Sequence, residues 1–231
     1  MTTSHDPGLP EPVARWRDHA LGIVRDTAPS QVRLRLEGEL SRRPGARWTS
    51  WTGTQEMAVD RLGFGWRARL SLAPLVSVIA FDGLSGSTGS GGAKLWGFVA
   101  IGSSRGREVT KTQLLRNLAE LVFVPWATDR NEQVAWQAVG PDSFTASAAL
   151  GGVVGSVQFE LDANGNVTTV SAADRPVPVG RRLEPAAWRI RFSGHEVVGG
   201  VRVPRSAEGS YDLPAGTWTY WRSRLVELTP E

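Results

Sequence analysis

The chain has 231 residues, of which 41% are hydrophobic and 21% are charged, and this composition excludes a disordered protein. It contains no cysteine, which excludes disulfides, thiolate catalysis and cysteine-based zinc sites. The formal net charge is only +3, and acidic residues interrupt the basic ones. The sequence therefore lacks the concentrated basic stripe that is typical of nucleic-acid-binding surfaces, and it predicts no nucleic-acid partner.

Residues 1–12 are polar and rich in proline, and they are predicted to form a flexible N-terminal tail. The segment lacks the basic region and the apolar run of a secretory signal peptide. No stretch of the sequence reaches the roughly 18 apolar residues of a membrane-spanning helix, so no integral membrane segment is predicted. Together with the absence of cysteine, these features predict a cytoplasmic protein. Residues 13–231 are predicted to form a single antiparallel-β domain.

A first helix is predicted from Pro12 through Asp26, because apolar residues recur there at helical spacing. Beyond Pro29 the apolar period changes to two, which is typical of β-strands with one buried face. The segments predicted to be strands, in chain order, are 31–40, 64–71, 77–81, 94–101, 144–150, 157–161, 167–171, 188–192, 201–203 and 218–228.

Two segments near the middle of the chain depart from simple alternation. Residues 94–101 are apolar on both faces, which predicts a central strand or one that faces a lumen. The stretch Gly83–Gly92 is rich in glycine and serine and is predicted to be a loop. It is not a phosphate-binding loop, because a strand rather than a helix is predicted to follow it.

An internal helix is predicted over Thr112–Val124, with Pro125 ending it. Its apolar residues cover most of the circumference, which indicates a largely buried helix. They leave a narrow polar stripe that consists of Gln113, Arg116, Asn117 and Glu120. Because Arg116 and Glu120 are one helical turn apart, they form either a structural ion pair or a charged wall that anchors a ligand.

These elements predict a mostly β fold with two or three helices. We expect a curved antiparallel sheet of about ten strands, forming a half-barrel or barrel with a helix packed against it. The ten tryptophans are spread along the whole chain. Since tryptophan combines a large apolar ring with a polar N–H, it suits a core, an interface or the wall of a cavity.

The segment Tyr220-Trp221-Arg222 lies within the last predicted strand. Unbroken alternation places Tyr220 and Arg222 on one face and Trp221 on the other. The face with the arginine is expected to be the wetter one, and Trp221 is expected to be packed. The candidate ligand-binding residues of the whole sequence are Trp66, Trp96, Arg116, Glu120, Trp188, Tyr220 and Arg222.

An ordered set of short motifs resembles an uncharacterised bacterial family of unknown function, over roughly residues 30–228. The resemblance implies no activity, cofactor or catalytic residue. At the level of the fold, the predicted strands and helices are similar to the open half-barrels of lipoprotein-carrier and lipid-binding proteins. The residues that carry it are Gly63-Phe64-x-Trp66-x-Ala68, Leu114-x-Arg116-x-Leu118-Ala119-Glu120 with Pro125, Trp136, Phe159-x-Leu161-Asp162-x-x-Gly165, Arg175, Trp188, Gly200-Val201-x-Val203-Pro204-x-x-x-Glu208 and Tyr220-Trp221-Arg222.

Three hypotheses for function remain open. The first is a binding module whose aromatic concave face holds an apolar or amphipathic, lipid-like small molecule, which requires a cavity of about 300 Å³ or more. The second is a structural or interaction domain without a ligand, which would show tryptophans exposed in one patch. The third is an enzyme that uses Glu120 as a general base beside Arg116. No cofactor is predicted, and no metal site either, since the three histidines stand apart in the sequence.

Overall fold

Thirteen strands form one antiparallel sheet in the computed structural model of the chain, which describes residues 8–24, 29–73, 76–97, 99–179 and 182–231. Three parts of the predicted elements lie outside the described residues: positions 1–7 of the tail, 25–26 of the first helix and 98 of the strand over 94–101. The fold is mostly β, and the sheet curls into a half-barrel, which confirms the predicted class.

The described elements follow one another along the chain in a simple order. The helices are α1 (Glu11–Leu21), α2 (Arg107–Glu120) and α3 (Ala127–Arg130), with 3₁₀ turns over Gly22–Val24 and Leu121–Phe123. The strands are β1 (Gln31–Leu40), β2 (Thr49–Ala58), β3 (Phe64–Ala73), β4 (Val76–Ser85), β5 (Thr88–Leu95), β6 (Val99–Arg105), β7 (Ala135–Gly140), β8 (Ser143–Leu150), β9 (Val153–Leu161), β10 (Val167–Val179), β11 (Arg182–Val198), β12 (Val201–Leu213) and β13 (Gly216–Pro230).

The order of strands in the sheet is β6-β5-β4-β3-β2-β1-β13-β12-β11-β10-β9-β8-β7. The first six strands thus form one half of the sheet and the last seven form the other, and β1 and β13 join the halves. The segment that links the halves, between β6 and β7, carries α2, which packs on strands of both halves. In the described part of the chain no helix is both long enough and apolar enough to cross a bilayer.

Strand alternation divides the sheet into an inner and an outer face. On β3 the side chains of Phe64 and Trp66 are buried, whereas Arg67 and Arg69 point outward and are exposed. At one end of the half-barrel, α1 fills the concave side: Trp16 lies with its ring centroid 5.6 Å from that of Phe144. That end is a packed aromatic core.

Three of the strands have no counterpart in the predicted set: β2, β5 and β7. The inward positions of β2 include Gly53 and Gln55, which are not apolar side chains, so the alternation that predicts a strand is interrupted. The strand β5 runs through the stretch Gly83–Gly92 that was predicted to be a loop, and this prediction is wrong. A two-residue turn at Gly86 joins β4 to β5, so the stretch is a hairpin.

Glycine has a low strand propensity, but in β5 it has a packing role, because it allows α2 to approach the strand closely. The first turns of α2 lie directly against the backbone of this strand, and the Gly89 N–H donates to Thr110 Oγ1 at 3.0 Å. A Cβ atom at Gly89 would lie 2.6 Å from the Thr110 Cα. Glycine is therefore used here because helix and strand approach too closely for any side chain.

Residues 94–101 do not form the central strand that was predicted. The chain turns at Trp96 and Gly97, where Trp96 has a positive φ of 50°, and then continues as β6. The strand β6 lies at one edge of the sheet, and all seven of its residues are exposed. The apolar residues of β6 resemble those of a buried strand in the sequence, but both faces of this edge strand are exposed to solvent.

The helix boundaries also differ from the predicted ones. The first helix begins at Glu11, inside the predicted tail, and Pro12 is buried within its first turn. The internal helix begins at Arg107 rather than Thr112 and ends at Glu120 as an α-helix. Its first turn is polar and mostly exposed, so apolar periodicity does not reveal it.

We expect Gly89→Ala to lower the free energy of unfolding by about 1–3 kcal/mol, because the new methyl group overpacks the contact between β5 and α2. Gly102→Ala, on the neighbouring strand β6, is the matched control: its Cβ meets nothing within 4 Å. The control should change stability by no more than about 0.5 kcal/mol. Urea unfolding of both variants measures the difference, and equal stabilities would contradict the packing role of Gly89.

Candidate functional site

A cavity of about 270 Å³ lies between the concave face of the sheet and the C-terminal half of α2. It is partly open, since a third of the Asp82 side chain remains exposed. Its aromatic walls come from four residues of three strands, namely Trp66 of β3, Trp188 of β11, and Tyr220 and Trp221 of β13. Four charged residues also line it: Asp82, Arg116, Glu120 and Arg175.

Five of the seven predicted candidates share this cavity: Trp66, Arg116, Glu120, Trp188 and Tyr220. The other two do not belong to it. Trp96 lies at the turn before the edge strand β6 and is 52% exposed. Arg222 points outward, where its Nε lies 3.0 Å from Glu208 and its guanidinium stacks 4.6 Å from the Trp48 ring.

A β-bulge explains why Tyr220 was wrongly placed on the same face as Arg222. Between β12 and β13, Gly209 pairs with Trp221 and Ser210 pairs with Thr219, so Tyr220 is the extra residue. A bulge breaks the alternation of side chains along the strand. Tyr220 and Trp221 consequently both face the cavity, and the prediction that they occupy opposite faces is wrong.

Three tryptophans pack together at the base of the cavity. The ring of Trp221 stacks on that of Trp51 with centroids 4.3 Å apart. Trp66 meets both rings edge to face, at 5.4 Å from Trp221 and 5.5 Å from Trp51. Offset and edge-to-face contacts of this kind are favourable beyond the area that they bury. The tryptophan cluster is therefore a rigid aromatic surface.

Arg116 is the centre of a buried polar network beside this cluster. Its Nη1 lies 2.9 Å from Asp82 Oδ2 and its Nε lies 3.0 Å from Glu120 Oε1. Nη2 donates to Gln55 Oε1 at 2.9 Å, and Gln55 Nε2 donates to Glu120 Oε2 at 2.8 Å. The network joins α2 to β2 and β4 through charge-assisted hydrogen bonds.

The electrostatics of the network favour the charged guanidinium. Burial lowers the pKa of Arg116, but the charges of Glu120 and Asp82 outweigh it, so the pKa lies above its usual value. The guanidinium also lies 4.9 Å from the centroid of the Phe64 ring and 5.3 Å from that of Trp66. Both carboxylate oxygens of Glu120 already accept hydrogen bonds, which disfavours its use as a general base.

The remaining members of the polar stripe on α2 also bind the sheet. Asn117 Oδ1 accepts from the Gly63 N–H at 3.1 Å, and Gln113 Nε2 donates to the Ser90 carbonyl at 3.3 Å. A buried helix needs such partners for each polar side chain that it carries inward. The stripe thus fixes the position of α2 in the half-barrel.

Arg175 is a second buried arginine in the cavity, and sequence reasoning did not select it as a site residue. Its guanidinium lies over the Trp188 ring at 4.5 Å and 5.5 Å from the Tyr211 ring. The pairing of β10 with β11 is irregular between Ala172 and Arg175, so alternation does not show which way this side chain points. Asp82 was missed as well, since it contacts Arg116 across 34 residues of sequence.

We expect Arg116→Met to lower the free energy of unfolding by about 3–5 kcal/mol, because two carboxylates would lose their buried cationic partner. Arg67→Met is the matched control, since this arginine points outward from β3 and is exposed. The control should cost no more than about 0.5 kcal/mol. Guanidinium chloride would screen the charges, so urea is the denaturant to use. A loss for Arg116→Met as small as for the control would contradict the network's structural role.

We expect Trp221→Ala to cost about 3–5 kcal/mol of stability, because it removes the ring that stacks on Trp51. Tyr220→Phe keeps its ring and removes only the hydroxyl that accepts from Trp188 Nε1 at 3.0 Å, so it should cost about 1 kcal/mol. Thermal or urea unfolding of the two variants gives both values. A larger loss for Tyr220→Phe would contradict the assignment of Trp221 to the packed cluster.

Two solved structures share the fold of the whole chain. A LolA-superfamily protein from Nitrosomonas europaea superposes with a TM-score of 0.51 at 8% identity, covering 95% of this chain and 92% of that one. A domain from Vibrio parahaemolyticus, described as an outer membrane lipoprotein-sorting protein, also gives a TM-score of 0.51, at 11% identity, covering 94% and 89%. At such low identity these likenesses establish the half-barrel fold alone.

The sequence comparison leads to a family without a known activity. No curated protein matches the chain. A family model does match, over residues 1–223, which includes every residue that lines the cavity. This confirms the resemblance noted from the motifs: the chain belongs to DUF6544, a family of unknown function.

Proposed function

We propose that the protein is a binding module for an apolar or amphipathic, lipid-like small molecule, which it holds in the cavity of the half-barrel. The observation that carries the proposal is the cavity itself, because it brings aromatic walls and a few charged groups together on the concave face. This combination of apolar lining and sparse polar groups is typical of small-molecule sites. An aromatic surface that is already packed and rigid loses little entropy when it binds.

The size of the cavity limits the ligand. At about 270 Å³ it lies slightly below the lower end of the range for ligand pockets, which begins at roughly 300 Å³. Since a water molecule occupies roughly 30 Å³ of the liquid, the cavity has room for about nine non-hydrogen atoms. The ligand is therefore either a small amphiphile or the end of a longer molecule that leaves through the open side.

The fold supports the same proposal by analogy. One of the two solved structures with this half-barrel is described as an outer membrane lipoprotein-sorting protein. An open curved sheet closed by one helix is an architecture in which the interior need not be filled by side chains. We propose a lipid-like occupant for this chain on that basis.

The two alternative functions have less support. All ten tryptophans lie in the described residues, and most of them are buried or half-buried, while Trp96 is exposed at the edge of the sheet. They do not form the exposed patch that an interaction domain would show. An enzyme based on Glu120 is disfavoured by the hydrogen bonds to both of its oxygens. The cytoplasmic location stays a prediction.

Filling the cavity tests the proposal. Ala80 lines the cavity, so Ala80→Phe should occupy its space and weaken the binding of 1-octanol by about tenfold or more. Ala149→Phe is the control, because Ala149 is exposed on the outer face of β8. Calorimetric titration with 1-octanol, together with native mass spectrometry of the purified protein, measures binding, and urea unfolding checks that both variants fold.

The proposal fails if the natural chain binds no 1-octanol and carries no small molecule through purification. It also fails if Ala80→Phe and Ala149→Phe bind 1-octanol as the natural chain does, because binding would then occur outside the cavity.

A further inference from the structure

Arg175 is a buried cation for which the described residues provide no anionic partner. Only 7% of the residue is exposed, yet no described carboxylate lies within ion-pair distance of its guanidinium. Among the described residues Nη1 alone has a hydrogen-bond partner, the Tyr211 hydroxyl. Nε is buried and has no hydrogen-bond partner in the part of the chain that the structure describes. A buried charge in this condition normally requires compensation by an opposite charge.

The other arginine of the same cavity shows what such compensation looks like. Arg116 forms ion pairs with both Asp82 and Glu120, so its positive charge is more than balanced. In the described part of the chain, Arg175 has the uncharged Tyr211 hydroxyl and the faces of Trp188 and Tyr211, at 4.5 and 5.5 Å, but no carboxylate. Aromatic faces attract a cation, but they do not neutralise it. The cavity thus has one acidic wall and one basic wall.

A second hydrogen-bond donor lies beside Arg175. The Tyr220 hydroxyl accepts from Trp188 Nε1 at 3.0 Å and donates to none of the described residues. The Tyr220 ring lies 5.0 Å from that of Tyr211, whose hydroxyl is bonded to Arg175. A guanidinium and a phenol that both have protons to donate form a recognition site for an anion.

We propose that the ligand of the cavity is an amphiphile with one carboxylate, and that this carboxylate pairs with Arg175 and accepts from the Tyr220 hydroxyl. This inference rests on the proposed function, since it specifies the ligand of the same cavity. The apolar chain of the ligand then lies against Trp66 and Trp221, which pack on each other and line the same cavity.

The acidic wall decides between a carboxylate and a phosphate. Both groups match the planar donors of a guanidinium, and a phosphate group belongs to many lipid headgroups. A phosphate monoester has close to two negative charges at neutral pH, and Asp82 and Glu120 line the same small cavity. A second negative charge would be repelled there, so the structure favours the single charge of a carboxylate over the double charge of a phosphate monoester.

The experiment compares eight-carbon ligands that share an apolar chain and differ in the headgroup and its charge. Octanoate, 1-octanol, octylammonium and octyl phosphate are each titrated into the natural chain at pH 7.5 by calorimetry. We expect octanoate to bind about tenfold more tightly than 1-octanol, as one charge-assisted pair in a buried site provides. Octylammonium should bind more weakly than 1-octanol, and octyl phosphate no more tightly than octanoate. This series requires no variant.

Variants then assign the preference to Arg175. Arg175→Met should reduce octanoate binding to the level of 1-octanol and leave 1-octanol binding within about twofold of the natural chain, because methionine keeps most of the apolar volume. Arg67→Met, on the outer face, should keep the full preference for octanoate.

Each contrary outcome has a distinct meaning. Equal binding of octanoate and 1-octanol by the natural chain overturns the inference but leaves the proposed function intact. An equal loss of both ligands in Arg175→Met gives Arg175 a purely structural role and overturns it too. Tighter binding of octyl phosphate than of octanoate overturns the choice of carboxylate. If none of the four ligands binds, the inference fails, and if the purified protein also carries no small molecule, the proposed function fails with it.

Discussion

The half-barrel depends on the packing of α2 into its concave face. An open curved sheet has an apolar inner surface that must be covered, and one helix between the two halves of the chain covers much of it. The helix is fixed by polar contacts rather than by apolar packing alone. Asn117 binds the turn that precedes β3 and the Arg116 network binds β2 and β4, so a rotation or a shift of α2 would break several buried hydrogen bonds at once.

The same network separates the structural charges of the cavity from those that remain available. Arg116 is saturated by its neighbours and is held between Phe64 and Trp66, so it contributes to the wall without needing a ligand. Arg175 lies in the same cavity but has no carboxylate partner among the described residues. A charged group in a pocket is available to a ligand when no neighbouring opposite charge already pairs with it, however many charges the pocket contains.

The sequence predicts a strand or helix correctly where the regular spacing of its apolar residues matches the face that the fold buries. The strand β1 was predicted with its observed bounds, because Val32, Leu34 and Leu36 alternate without interruption. Arg116 and Glu120 were paired from helical spacing for the same reason. β5 was missed because α2 packs so closely on its backbone that glycines stand where apolar side chains would otherwise indicate a strand. Asp82 and Arg175 join the site from distant strands, and a local pattern does not show which of these meet.

The bulge at Tyr220 changes the phase of side-chain orientation along β13. The strand pairs with β12 on both sides of the bulge, whereas its pairing with β1 begins at Trp221, and a second irregularity shifts the β1 register between Leu225 and Glu227. The strand therefore behaves as two short strands that share a backbone, one forming the aromatic rim and the other the core. Residues can be exchanged in the rim half without altering which side chains the core half turns inward.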